Sequence, residues 1–173
     1  VNYHARMRVL AISGSLPAKS SNTALMRRAV ALSDDDIDVV LFEGLAALPH
    51  FNTDLERDGT LATVDALRAA VATADGLLIA CPEYGFSLPG VLKNAVDWLI
   101  GSAELERKLV AITAATVGHD RGLRGLAALH QTLSAVSAEV VFDAPITRDE
   151  DADSRLREVL AALAQRHRAR APA

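Results

Sequence analysis

The stretch Arg8-Val9-Leu10-Ala11-Ile12-Ser13-Gly14-Ser15-Leu16-Pro17-Ala18-Lys19-Ser20-Ser21-Asn22-Thr23 decides the fold. It begins as an unbroken apolar run, passes through small polar residues, and leads into Leu25, Ala29 and Leu32 at helical spacing. An unbroken apolar run, unlike an alternating one, marks a strand covered on both faces. The unit is therefore strand, loop, helix. It recurs along the chain. Strand-like runs occupy 8–12, 38–42, 76–81, 109–113 and 139–142. Helical patterns occupy 22–33, 61–74 (Val64, Leu67, Val71, with Thr60 as N-cap), 89–100 (Leu92, Val96, Leu99), 123–136 (Leu126, Leu129, Leu133) and 154–167 (Leu156, Leu160, Leu163). Thr147 and Glu150 match a capping-box pattern before the last helix. Strands alternating with helices predict an α/β domain with a parallel sheet and helices on both faces. In such sheets ligands bind beyond the carboxyl ends of the strands, near the switch in strand order. The loops after Ile12, Cys81 and Thr113 are thus where chemistry is expected. Residues 44–60 are the longest irregular stretch, a cover for one side of that site.

The 173 residues suit a single domain, 1–173, with a real core. A net charge of −4 argues against a nucleic-acid-coating surface. It leaves room for an anionic ligand, because backbone N–H groups bind phosphate without a basic surface. Cys81 is the sole cysteine, so no intramolecular disulfide forms and a reducing, cytoplasmic setting is the expectation. No signal-peptide shape and no apolar run near the roughly 20 residues of a membrane span is present. Residues 165–173 read as a fraying helix end and a loose tail.

The first loop places Ser15, Leu16, Ser20, Ser21, Asn22 and Thr23 between a strand and a helix. A helix N-terminus offers unpaired N–H groups and a partial positive charge, and the hydroxyls and amide add further donors. Simple capping by Ser20, Ser21 or Asn22 is the plainer alternative, but there are more polar groups than one cap uses. Ala18 stands where a P-loop needs glycine, and the G-x-G-x-x-G dinucleotide fingerprint is absent. A single phosphate, as in FMN, fits best.

The second loop reads Pro82-Glu83-Tyr84-Gly85-Phe86-Ser87-Leu88-Pro89-Gly90, with Pro89 expected in the first helical turn. Its prolines and glycines predict a rigid turn with close backbone approach. Backbone groups there can read the edge of a flat heterocycle, flanked by Tyr84 or Phe86. Cys81 lacks the nearby arginine that a phosphatase nucleophile needs, and reads as an inert buried thiol.

These residues are similar to a known family. Gly14-Ser15-Leu16 through Ser20-x-Asn22 resembles the G-S-x-R-x-x-S-x-N loop of the NADPH-dependent FMN reductases. Residues 82–98 resemble that family's P-E-Y-N-x-S-x-P-G-x-L-K-N-A-x-D-W signature, and 48–54 its loop after strand two. The resemblance covers about residues 8–142. It implies a flavodoxin-like three-layer sandwich with strand order 2-1-3-4-5, bound FMN, and reduction by NADPH or NADH. It implies that Ser15, Ser20 and Asn22 hold the phosphate, that Pro82, Glu83, Tyr84 and Gly85 contact the ring, and that the chain forms a homodimer or homotetramer. Ser21, Leu16, Thr23, Phe86, Ser87 and Thr113 complete the expected cofactor set. No catalytic side chain and no metal ligand is assigned. The expected acceptor is a flavin, quinone, azo compound or oxyanion, with no nucleic acid or membrane as partner. Pro17 replaces the family arginine and Gly85 the family asparagine. His119, Asp120 and Arg121 are candidates for substrate or nucleotide contacts. A non-enzymatic electron carrier and a flavin-free binding protein are the rival readings.

Overall fold

The computed structural model describes residues 6–59, 61–148 and 150–170. The chain runs β1 (Met7–Ser13), α1 (Ser21–Ala31), β2 (Ile37–Phe42), a 3₁₀ turn (Leu45–Ala47), α2 (Thr53–Arg57) and α3 (Ala62–Thr73). It continues through β3 (Gly76–Ala80), α4 (Gly90–Ile100), β4 (Leu109–Thr113), β5 (Ala115–Thr116), α5 (Leu123–Ala135), β6 (Glu139–Asp143), β7 (Ile146–Thr147) and α6 (Ala152–Arg168). The main sheet is parallel with order β2-β1-β3-β4-β6. Counting only its own strands, this is the flavodoxin-like order 2-1-3-4-5.

Both faces of the central strands are buried, as their unbroken apolar runs require. Leu10, Ile12, Leu77, Ile79, Val110 and Ile112 pack beneath α3, α4 and α5 through Leu67, Val96 and Leu129. The alternate residues Val9, Ala11, Leu78, Ala80 and Ala111 pack beneath α1 and α6 through Met26, Leu156 and Leu163. Alternation of successive side chains across the pleat sorts them into these two layers.

Several local expectations are corrected. Pro89 is not inside the first turn of α4 but occupies its N-cap, with φ −61° and ψ 142°; the ring-fixed φ suits either place. Thr60 lies outside the described residues, and Leu61 takes the cap position of α3 without a side-chain hydrogen bond. Thr147 does not cap α6. It ends β7, and its N–H donates to the Glu150 carboxylate at 2.7 Å, while Asp151 caps the helix through the N–H groups of Asp153 and Ser154. Residues 44–60 are not wholly irregular, because Asn52 caps α2 by accepting from Asp54 N–H at 2.9 Å. Helix α6 continues to Arg168, and Arg166 and Arg170 both pair with Glu139. Residues 171–173 lie outside the described set. A two-stranded ribbon, β5 with β7, extends β4 and β6 past the sheet edge; its strands are too short to leave a sequence pattern. No helix among the described residues is long and apolar enough to cross a membrane.

Candidate functional site

Three loops meet beyond the carboxyl ends of β1, β3 and β4, the side the strand order predicts. They enclose a cleft of about 590 Å³ lined by Asn22, Pro82, Glu83, Phe86, residues 114–117, Asp120, Arg121, Gly122 and Arg124. That volume lies within the roughly 300–1,000 Å³ of small-molecule sites.

The first loop is closed tightly against the second. Gly14 donates its N–H to Ala80 O at 2.8 Å. A Cβ at Gly14 would stand 2.5 Å from Leu92 Cδ1 and 3.2 Å from Pro82 Cδ, so any side chain here would displace Leu92 of α4 and crowd the second loop. Much of the loop's polarity is spent internally. Ser20 Oγ caps α1 by accepting from Thr23 N–H at 3.2 Å. Ser13 Oγ and Thr23 Oγ1 share a hydrogen bond of 2.8 Å. The Ser21 and Asn22 amides at the start of α1 make no hydrogen bond among the described residues, and Ser15 Oγ lies 3.4 Å from the Tyr84 hydroxyl, linking the two loops. Asn22 is 6% exposed. Its Oδ1 accepts from Ala115 N–H at 2.9 Å, which fixes the amide so that Nδ2 is left as a donor at the cleft wall.

The second loop is a two-residue hairpin turn. Tyr84 and Ser87 exchange backbone hydrogen bonds of 3.0 and 3.1 Å. Between them Gly85 and Phe86 have φ +56° and +64°. Positive φ at both central positions defines a type I′ turn, where asparagine and glycine are the favoured first residues. Gly85 therefore preserves the backbone that the family asparagine would adopt. The amides of Gly85 and Phe86 make no intramolecular hydrogen bond among the described residues.

Glu83 does something the sequence did not announce. Its carboxylate accepts from the N–H groups of Arg124 at 3.0 Å and Gly125 at 3.2 Å. It thereby caps α5, whose own N-cap, Gly122, has no side chain to offer. A Cβ on Gly125 would meet Glu83 Cα at 3.0 Å. The glycine inside helix α5 was the available signal, since such a residue marks a close approach. Arg124 was also missed: its guanidinium lies 4.1 Å from the centroid of the Phe86 ring.

The remaining expected residues separate. Asp120 and Arg121 line the cleft and His119 does not. Leu16 lines a smaller neighbouring pocket of about 170 Å³ with Ser15 and Thr23. Ser21 turns toward a third hollow beside β5 and β7. Thr113 is fully buried and Ser87 lies behind the turn it closes, so neither lines the cleft. Burial pushes the Cys81 thiol up to about 12, aided by the charges of Asp143 and Glu83; it is a neutral packing group. Lys93 and Asp97 pair with each other at 2.5 Å on α4. Among the described residues no cluster of side chains is arranged to hold a metal.

Residues 7–153 match the family described as NADPH-dependent FMN reductase. An NADPH:quinone oxidoreductase of Arabidopsis thaliana is 35% identical over 176 residues, covering 91% of this chain and 90% of that protein. An NAD(P)H-dependent FMN reductase of Pseudomonas aeruginosa is 36% identical over 129 residues, covering 73% of this chain and 69% of that protein. The solved structure of a flavoenzyme NAD(P)H:(acceptor) oxidoreductase from Paracoccus denitrificans superposes with a TM-score of 0.77, at 24% identity, over 94% of this chain and 98% of that one.

Proposed function

The chain belongs to the NADPH-dependent FMN reductase family, and from that premise we propose that it is an oxidoreductase using FMN to pass reducing equivalents from NADPH or NADH to a flavin or quinone-type acceptor. One observation carries the reading. The fixed Asn22 amide and the positive-φ turn that presents the unpaired Gly85 and Phe86 amides border the same cleft. The donors fit the group. Ser15, Asn22 and the free amides entering α1 would hold a phosphomonoester, and the turn at residues 82–86 would lie along a flat ring.

Held there, FMN would supply the two-electron redox chemistry, at N5 and in ping-pong fashion, between the nicotinamide nucleotide and the acceptor. The chain's part is placement and electrostatics. The Gly85 and Phe86 amides, fixed by the turn, would stabilise negative charge developing on a flat ring beside them at little reorganisation cost. Glu83, spent on two amides of α5, is no free base. Cys81, neutral and buried, is no nucleophile. No side-chain acid or base is required of the chain for hydride transfer.

The test is optical. Purified protein titrated with FMN turns yellow and is bleached by NADPH, then recoloured by a quinone. Asn22→Leu removes the Nδ2 donor and strands the Ala115 N–H, so FMN binds about tenfold more weakly or worse. A protein that takes up no FMN overturns the reading. Assembly as a homodimer or homotetramer is part of the proposal. Phe51, in the loop before α2, Leu55, on α2, and Ile100, at the end of α4, are 36, 37 and 58% exposed, and Arg68 ties α2 to α4 through Glu56 and Trp98 O. Light scattering that finds only monomer removes this part.

A further inference from the structure

Arg124 is held at two points by the turn it faces. Its N–H is fixed on the Glu83 carboxylate, and its guanidinium carbon lies 4.1 Å from the centroid of the Phe86 ring. A cation–π contact consumes no N–H donor, and among the described residues the Arg124 guanidinium makes no hydrogen bond. Among the described residues, no carboxylate comes within ion-pair distance of Arg124 or of Arg121, which lines the same cleft. Phe86 is 70% exposed on a backbone with φ +64°. L-residues rarely adopt that conformation, and here burial of the ring does not account for it. Its use is as a platform: the aromatic face keeps an exposed cation at the mouth of the cleft.

We propose that Arg124, steadied by Glu83 and Phe86, is the anchor for the pyrophosphate of the reducing nicotinamide nucleotide. The inference rests on the flavin-site reading above and extends it to the co-substrate. A nicotinamide inserted in the cleft carries its pyrophosphate one ribose further out, so the charge arrives at the mouth. Guanidinium matches phosphate oxygens in bidentate geometry. A quinone brings no such charge to the chemistry, so with a quinone as acceptor an unpaired arginine serves the donor half-reaction. Holding the side chain in advance lowers the ordering cost of binding.

The test uses FMN-loaded protein with saturating quinone and three reductants: NADPH, NADH and N-benzyl-1,4-dihydronicotinamide, which carries no phosphate. Arg124→Ala is expected to raise KM for NADPH and NADH alike by about tenfold, with kcat little changed and the benzyl compound unaffected. Phe86→Leu, which removes the platform and keeps the charge, shifts the same ratio in the same direction by about threefold. Raised salt weakens the wild-type preference for the phosphorylated donors. An equal rise for all three reductants, a rise for NADPH alone, or a change confined to the quinone KM overturns the assignment. If the wild-type protein holds no FMN and oxidises none of the reductants, the flavin-site reading has failed. If it oxidises all three and Arg124→Ala keeps their ratios, only the arginine's role has.

Discussion

The two halves of the segment from Pro82 to Trp98 resemble one family signature equally well, yet they do opposite physical work. The front half is exposed, strained and open-handed: Gly85 and Phe86 sit at positive φ with unpaired amides beside the cleft. The back half is buried and fully engaged. Asn94 accepts from Phe51 N–H at 2.8 Å and donates to Pro49 O at 2.9 Å. Trp98, 1% exposed, donates to the same carbonyl at 2.8 Å and meets the Phe51 ring edge-on at 5.1 Å. The back half pins the loop after the 3₁₀ turn; the front half borders the cleft. A signature can thus mix residues kept for a site with residues kept for a scaffold, and only their partners separate the two.

The comparison breaks first at Trp98. Trp98→Ala empties a large buried volume and strips a hydrogen bond, at about 3–5 kcal/mol. Denaturant unfolding should show that loss, while any protein still folded binds FMN with near-normal affinity. A loss under about 1 kcal/mol, or selective loss of FMN from a stable protein, would dissolve the distinction between the halves.

Gly125 sharpens it from the other side, because it packs behind the front half. Alanine gains about 0.5–1 kcal/mol in a helix, but a Cβ 3.0 Å from Glu83 Cα costs about 1–3 kcal/mol through overpacking. The net expectation for Gly125→Ala is a loss of about 1 kcal/mol by thermal or chemical unfolding, accompanied by weakened FMN binding as Glu83 is displaced. Unfolding that is unchanged together with full FMN affinity would mean the contact gives way freely.

The smallest effect belongs to Gly85. Nothing lies within 4 Å of a Cβ there, so only the backbone objects. Gly85→Ala costs about 1 kcal/mol for a left-handed residue, whereas Gly85→Asn costs a few tenths, since asparagine tolerates that region. Measured stabilities of the pair that come out equal would show that the turn does not hold its type I′ shape in solution.

The layers of this protein are written in short-range pattern. Continuous apolar runs and helical spacing report what each residue's immediate neighbours demand, and they located the sheet strands and the long helices. The polar first loop and the turn at Pro82 were visible for the same reason: strand ends, helix caps and positive-φ glycines are local events. The five-residue α2 and the two-residue strands β5 and β7 escaped because they are shorter than any period that would announce them.

The sequence by itself determined the α/β alternation, the loops that border the cleft and the residue types present in them. Tertiary structure alone decided where those side chains are spent. Glu83 reaches Arg124 across 41 residues of chain, Asn22 reaches Ala115 across 93, and Asn94 reaches Phe51 across 43. Such pairings exist only once parallel strands are ordered side by side, since no local preference fixes which distant amide a carboxylate or carboxamide will meet.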